Sequence, residues 1–164
     1  MPSGTGWSGI GKRKELRFTN MDELDYLDRE TKHFLAYHNA DGMGFAMFED
    51  GPTNEMGFLT RKSVQNMVGN TSWVVEGMGK PKKYFFRGYF IVDEVLSDDV
   101  DDQLYHVLGK GEPIAHDVPL NNEFWFPSLK RMQGNFGFGI QALRAEYVEK
   151  FDGLLNEHVS FRPI

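Results

Sequence analysis

Apolar and polar residues alternate most clearly in KYFFRGYFIVDEV, from Lys83 to Val95. Side chains on a strand point to opposite faces in turn, so Tyr84, Phe86, Phe90 and Val92 fall on one face. Phe85, Arg87, Tyr89 and Ile91 fall on the other. Both faces are largely apolar, which predicts a central strand, and Gly88 in its middle predicts a bulge, a barrel bend or close backbone approach. Ser72–Glu76 (SWVVE) reads as the strand before it, and Gly77–Lys82 (GMGKPK) as the turn between them. HFLAYH and GFAMFE, at His33–His38 and Gly44–Glu49, flank NADG and predict a β-hairpin. Asn135–Ile140 (NFGFGI) alternates as a strand does, DQLYHVLG fits either helix or strand, and residues 109–123 read as a loop.

Helical spacing appears in three places. Gln141–Leu155 carries an apolar stripe of Leu143, Tyr147, Val148, Phe151, Leu154 and Leu155 opposite Arg144, Glu146, Glu149 and Lys150. Thr60 caps a short predicted helix that runs through Val68 and stops at Gly69. Met21–Thr31 is acidic, with Asn20 as its cap and Glu23 at the capping-box position. Residues 1–14 read as a flexible, Gly-rich, basic leader, and residues 15–164 as a single α+β domain.

Composition narrows the chemistry. There are no cysteines, which excludes disulfides, thiolate zinc sites and cysteine nucleophiles. No apolar run approaches the roughly 18 residues of a membrane-spanning helix, and no secretory signal is visible, so the expected compartment is the cytoplasm. The net charge of −6 argues against a surface coated in positive charge, but it leaves room for a local basic face. Acids gather in SDDVDD at Ser97–Asp102, and basic residues in KPKKYFFR at Lys80–Arg87.

Motifs for catalysis are weak. Gly4, Gly6 and Gly9 spell G-x-G-x-x-G, and Gly6, Gly11 and Lys12 spell G-x-x-x-x-G-K. No strand precedes them, and Arg13 stands where a Mg²⁺-binding hydroxyl is needed. His33 and His38 are separated by an odd number of residues and would leave a strand on opposite faces. His116-Asp117 reads as an exposed loop pair, and SDDVDD lacks the glycine and terminal glutamate of a calcium loop. No metal, cofactor or catalytic residue is nominated, and a binding module is favoured over an enzyme.

What remains is a basic–aromatic constellation. Lys80, Lys82, Lys83 and Arg87 flank the central strand; Lys130, Arg131, Gln133 and Asn135 follow FWFP. Basic residues neutralise phosphates, aromatic rings stack bases, and amides read base edges. Trp73, Trp125 and Phe126 are the candidate walls of a pocket for a flipped base. The competing reading makes Trp73 core and the lysines ordinary surface. A small-molecule or protein-binding pocket, and a nuclease or hydrolase, stand as alternatives.

SWVVEGMGKPKKYFFRGYFIVDEV and FWFPSLKRMQGNFGFGIQALRAEYVEKF, within residues 72–151, resemble the PUA-like domains, the broad group that includes EVE-type and SRA-like readers of modified bases. The resemblance implies a small, mostly antiparallel β-barrel with a few flanking helices. It also implies DNA or RNA as partner, a pocket for a base that is modified or flipped, and a restriction or defence setting.

Overall fold

The long aromatic strand forms as the alternation demands, and the rest of the domain is arranged around it. The computed structural model describes residues 32–48, 51, 53–62, 64, 66–136 and 140–159. The leader, its two phosphate patterns and the predicted Met21–Thr31 helix lie outside these residues. The described chain runs β1 (His33–Asn39), α1 (Ala40–Met43), β2 (Glu55–Thr60), β3 (Thr71–Met78), β4 (Lys83–Ser97), β5 (Tyr105–Pro113), α2 (Phe126–Met132), β6 (Ile140–Ala142) and α3 (Ala145–Val159).

The six strands form one sheet in the order β2-β5-β4-β3-β1-β6. Every pairing is antiparallel except β1 with β3. The sheet curls: Lys62, just past edge strand β2, donates its ammonium to the Ile140 carbonyl on the opposite edge at 3.0 Å. Ala36, Met56, Val74, Phe90, Val92 and Val107 fill the inside of the curl. Leu35, Trp73, Val75 and Phe86 lie in a second core with residues of α2 and α3. The result is a small, mostly antiparallel α+β barrel with flanking helices, the architecture that the PUA-like resemblance implied. No described helix is long and apolar enough to cross a membrane.

Two bulges in β4 correct the face assignment made from simple alternation. Val74 pairs with Gly88 and Val75 with Phe86, so Arg87 is an extra residue. One extra residue moves every later side chain to the other face. Tyr84 and Phe86 therefore pack under the helices, whereas Phe90 and Val92 point into the curl. Gly88 has φ 103°, and a Cβ there would collide with the Glu112 carbonyl. A second shift falls between Val92 and Glu94.

Other expectations are also corrected. His33–His38 is a strand, but it pairs in parallel with β3 rather than in a hairpin with the following segment. NADG forms the α1 turn instead, with the Asn39 side chain accepting from the Gly42 N–H and Gly44 left-handed at φ 88°. Thr60 ends strand β2 rather than capping a helix, and Gly69 sits in a turn whose N–H donates to the Val92 carbonyl. DQLYHVLG becomes strand from Tyr105, and β5 continues to Pro113 through what reads as loop. Asn135 lies in a 3-10 turn rather than a strand, and α3 begins at Ala145 because Ile140–Ala142 pairs with β1.

Candidate functional site

The β3–β4 turn and the α1 turn are tied together at one end of the sheet. Asp41 accepts from the Gly79 N–H at 2.8 Å and from the Lys82 ammonium at 3.2 Å. Those two bonds, the Gly79 amide first, hold the Asp41 carboxyl below its ordinary value. Lys82 also donates to the Asn39 side chain at 3.2 Å. Lys80 and Lys83 are exposed on either side. Asn121 fastens the start of β4: its oxygen accepts from the Tyr84 N–H at 2.7 Å, and its amide donates to the Lys82 carbonyl at 3.3 Å.

Three aromatic rings stand beside this basic turn. Tyr37 stacks on Phe136 at 4.9 Å with 17° between planes, and Tyr84 lies 6.1 Å from Tyr37 and 5.5 Å from Phe136. The Lys130 ammonium sits 4.9 Å from the centre of the Tyr84 ring, a cation–π contact. Burial, followed by the charges of Tyr84, Asp41 and Glu76, pushes the half-buried Tyr37 hydroxyl up to about 12. It therefore stays neutral and can both donate and accept. Gly77 makes room for it, since a Cβ there would collide with that hydroxyl.

Phe136 is aimed by an unusual backbone. Gly134, Asn135 and Phe136 are all left-handed, with φ of 59°, 56° and 64°. Asn adopts this conformation readily, whereas a bulky aromatic residue does so at a cost of about 1–3 kcal/mol. The turn leaves Asn135 exposed and Phe136 buried.

The other residues predicted from sequence are distributed unevenly. Trp73 is buried, donates its indole N–H to His33 Nδ1 at 3.0 Å, and packs among Phe86, Tyr89 and Phe151. Burial lowers the His33 pKa, consistent with a neutral acceptor. Trp125 is buried against Phe151 and Tyr147, and Phe126 is buried against Tyr84 and Phe136. Like Tyr84 and Phe136, these three rings are buried, whereas Tyr37 is half-buried. Gln133 is buried and donates to the Ala142 carbonyl, fastening the end of α2 to β6. Arg131 is exposed at the end of α2. The structure thus brings together Lys80, Lys82 and Lys83 on one turn, and places Lys130 and Asn135 beside the Tyr84–Phe136 pair. Tyr37, Tyr84 and Phe136 were not singled out by sequence reasoning. The signal for Tyr37 was available in HFLAYH once that run is paired with β3 rather than with its own hairpin.

Arg87 occupies the bulge and is 5% exposed. Its guanidinium donates to Glu76 at 2.8 Å, to the carbonyls of Ala115 and His116 at 3.2 and 3.1 Å, and to Asp117 at 3.1 Å. Glu76, fully buried, also accepts from the Met47 N–H at 2.6 Å. This network fixes the segments on both sides of the β3–β4 pair. His116 and Asp117 do not face each other, because Asp117 turns to Arg87 and His116 to His158. His33 and His38 leave β1 on opposite faces, the first meeting Trp73 and the second the Phe45 carbonyl.

The far end of the sheet differs in charge. A groove of about 440 Å³ is lined by Glu55, Asp93, Glu94 and Lys110 with Gly57 and Leu108. In the adjacent loop Asp98 accepts from His106 at 2.7 Å and from the N–H groups of Val100 and Asp101. Those bonds, that from His106 first, hold the Asp98 carboxyl down at about 2. No group of three or more His, Cys, Asp or Glu able to hold a metal ion occurs among the described residues.

No protein-family model and no curated protein matches the chain. Among solved structures it is similar to the human THYN1 protein, determined in complex with DNA containing 5-methylcytosine. The likeness covers 81% of this chain and 100% of that one, at 14% identity and a TM-score of 0.46.

Proposed function

We propose that this chain is a nucleic-acid-binding module that takes an unstacked base, modified or flipped out of a duplex, at the Tyr37–Tyr84–Phe136 cluster. The observation that carries the reading is the strained left-handed turn at residues 134–136. It holds the Phe136 ring stacked on the Tyr37 ring beside a turn rich in lysine. Strained backbone persists where the surroundings over-determine it, and such places are often binding sites.

In this reading Lys80, Lys82, Lys83, Lys130 and Arg131 neutralise phosphates. Tyr37 offers a ring face for stacking and a neutral hydroxyl, and the exposed Asn135 offers an amide to a base edge. Phe126 packs against Tyr84 and Phe136, Gln133 fixes the end of α2, and Trp73 and Trp125 belong to the core that carries them. Arg87 acts through the buried network that sets the start of β4. The net charge of −6 fits a local basic ledge on an acidic body, which orients a polyanion toward one end.

The test is fluorescence anisotropy with single-stranded, duplex and modified-base oligonucleotides across a salt series. Binding that weakens linearly with the logarithm of salt supports the reading. Absence of binding at low salt to all three probes overturns it. A bound small molecule held independently of salt would move the assignment to a small-molecule pocket.

A further inference from the structure

Outside the basic ledge, two histidines from distant parts of the chain meet at the surface. His116 Nε2 lies 3.1 Å from His158 Nδ1, with ring centres 5.2 Å apart and planes inclined by 40°. We propose that these two imidazoles form a clamp for a borderline divalent transition ion, with zinc as the probe.

The spacing is close to what such an ion needs. Two nitrogens bound at about 2.0–2.1 Å in a tetrahedral shell lie roughly 3.3–3.4 Å apart. Only a small opening separates the present contact from that arrangement. In the metal-free pair one ring nitrogen donates and the other accepts. An ion in place of the shared proton lets both nitrogens give a lone pair. Imidazole suits zinc, copper and nickel, whereas magnesium and calcium prefer oxygen, so the clamp selects by ligand type.

Both ligands stand on fixed supports. The His116 carbonyl accepts from the buried Arg87 guanidinium at 3.1 Å. His158 belongs to α3, whose Phe151, Leu154 and Leu155 are buried. The neighbouring Asp117 is turned to Arg87 at 3.1 Å, and no third His or carboxylate completes a cluster among the described residues. Water therefore fills the remaining positions, and the site exchanges its ion rather than burying it. Bound, the ion cross-links positions 42 residues apart and stabilises the native state by mass action.

The experiment is calorimetric titration of the full chain with ZnCl₂ near pH 7.5, together with thermal melts. A saturable site is expected that disappears in both His116→Ala and His158→Ala and remains in His106→Ala. The melting temperature should rise by roughly 3–6 °C at zinc tenfold above Kd, and both of the first two variants should lose that rise. MgCl₂ should produce no rise. A flat titration, or zinc binding unchanged in either of those variants, overturns the proposal and leaves the pair as a hydrogen-bonded tether.

Discussion

At its Lys83 end, β4 is flanked by lysines, packed among aromatic rings and locked by a buried ion pair. At its Ser97 end the same strand runs into aspartates that are paired at the surface, Asp98 with His106 and Asp101 with Arg61. One strand therefore joins a basic, aromatic end to an acidic one. The net charge of −6 therefore hides a division of charge along one strand. Asp98 and Asp101 at the far end are occupied by local bonds, whereas Lys80 and Lys83 face solvent.

The strongest way to break the comparison is to remove the lock. Arg87→Ala leaves the fully buried Glu76 without its cation, and loss of one partner of a buried pair costs about 3–5 kcal/mol. Urea denaturation should show it; a loss under about 1 kcal/mol would mean that packing alone holds this end. Gly88→Ala comes next. It forces a side chain into the Glu112 backbone at a left-handed φ and should cost more than about 2 kcal/mol by the same measurement.

A third prediction sharpens the contrast through binding. Lys83→Ala with Lys130→Ala should lower the slope of log affinity against log salt by about 1.4–1.8, in a protein that still melts cooperatively. Lys110→Ala, in the acidic groove, should leave that slope alone. Equal effects from both ends would erase the distinction. The smallest effect belongs to Asp98. Its folded-state carboxyl is held at about 2 against an ordinary 3.8, so its contribution is present above about pH 4 and is lost as pH falls toward 2. Asp98→Asn should flatten that part of the acid-denaturation curve and lower the neutral melting temperature only slightly.

Much of the fold was legible because β3, β4 and α3 bury strongly periodic residues. The bulge at Gly88 was legible too, but its consequence was not. Alternation carries no record of an inserted residue, so Phe90 and Val92 were assigned to the wrong side. The partner of β1 was also hidden. NADG is a good hairpin signal locally, yet Leu35 and Ala36 are fully buried only when β1 lies between β3 and β6. The basic half of the candidate site could be read from Lys80–Lys83. Its aromatic half could not, because the sequence distinguishes a buried tryptophan from a surface one only through tertiary contacts. Tyr37 and Phe136, 99 positions apart, meet through the parallel β1–β3 pairing and a left-handed turn, and no periodicity along the chain joins them.

Tyr37 is the ring proposed to meet a base. Affinity for a single-stranded oligonucleotide, measured at one low salt concentration, tests it most directly when wild type is set beside Tyr37→Phe and Tyr37→Ala. Stacking on one aromatic ring contributes about 1–3 kcal/mol, so Tyr37→Ala should weaken binding roughly 5- to 150-fold while Tyr37→Phe keeps most of it. Undiminished affinity in a folded Tyr37→Ala protein would contradict the account.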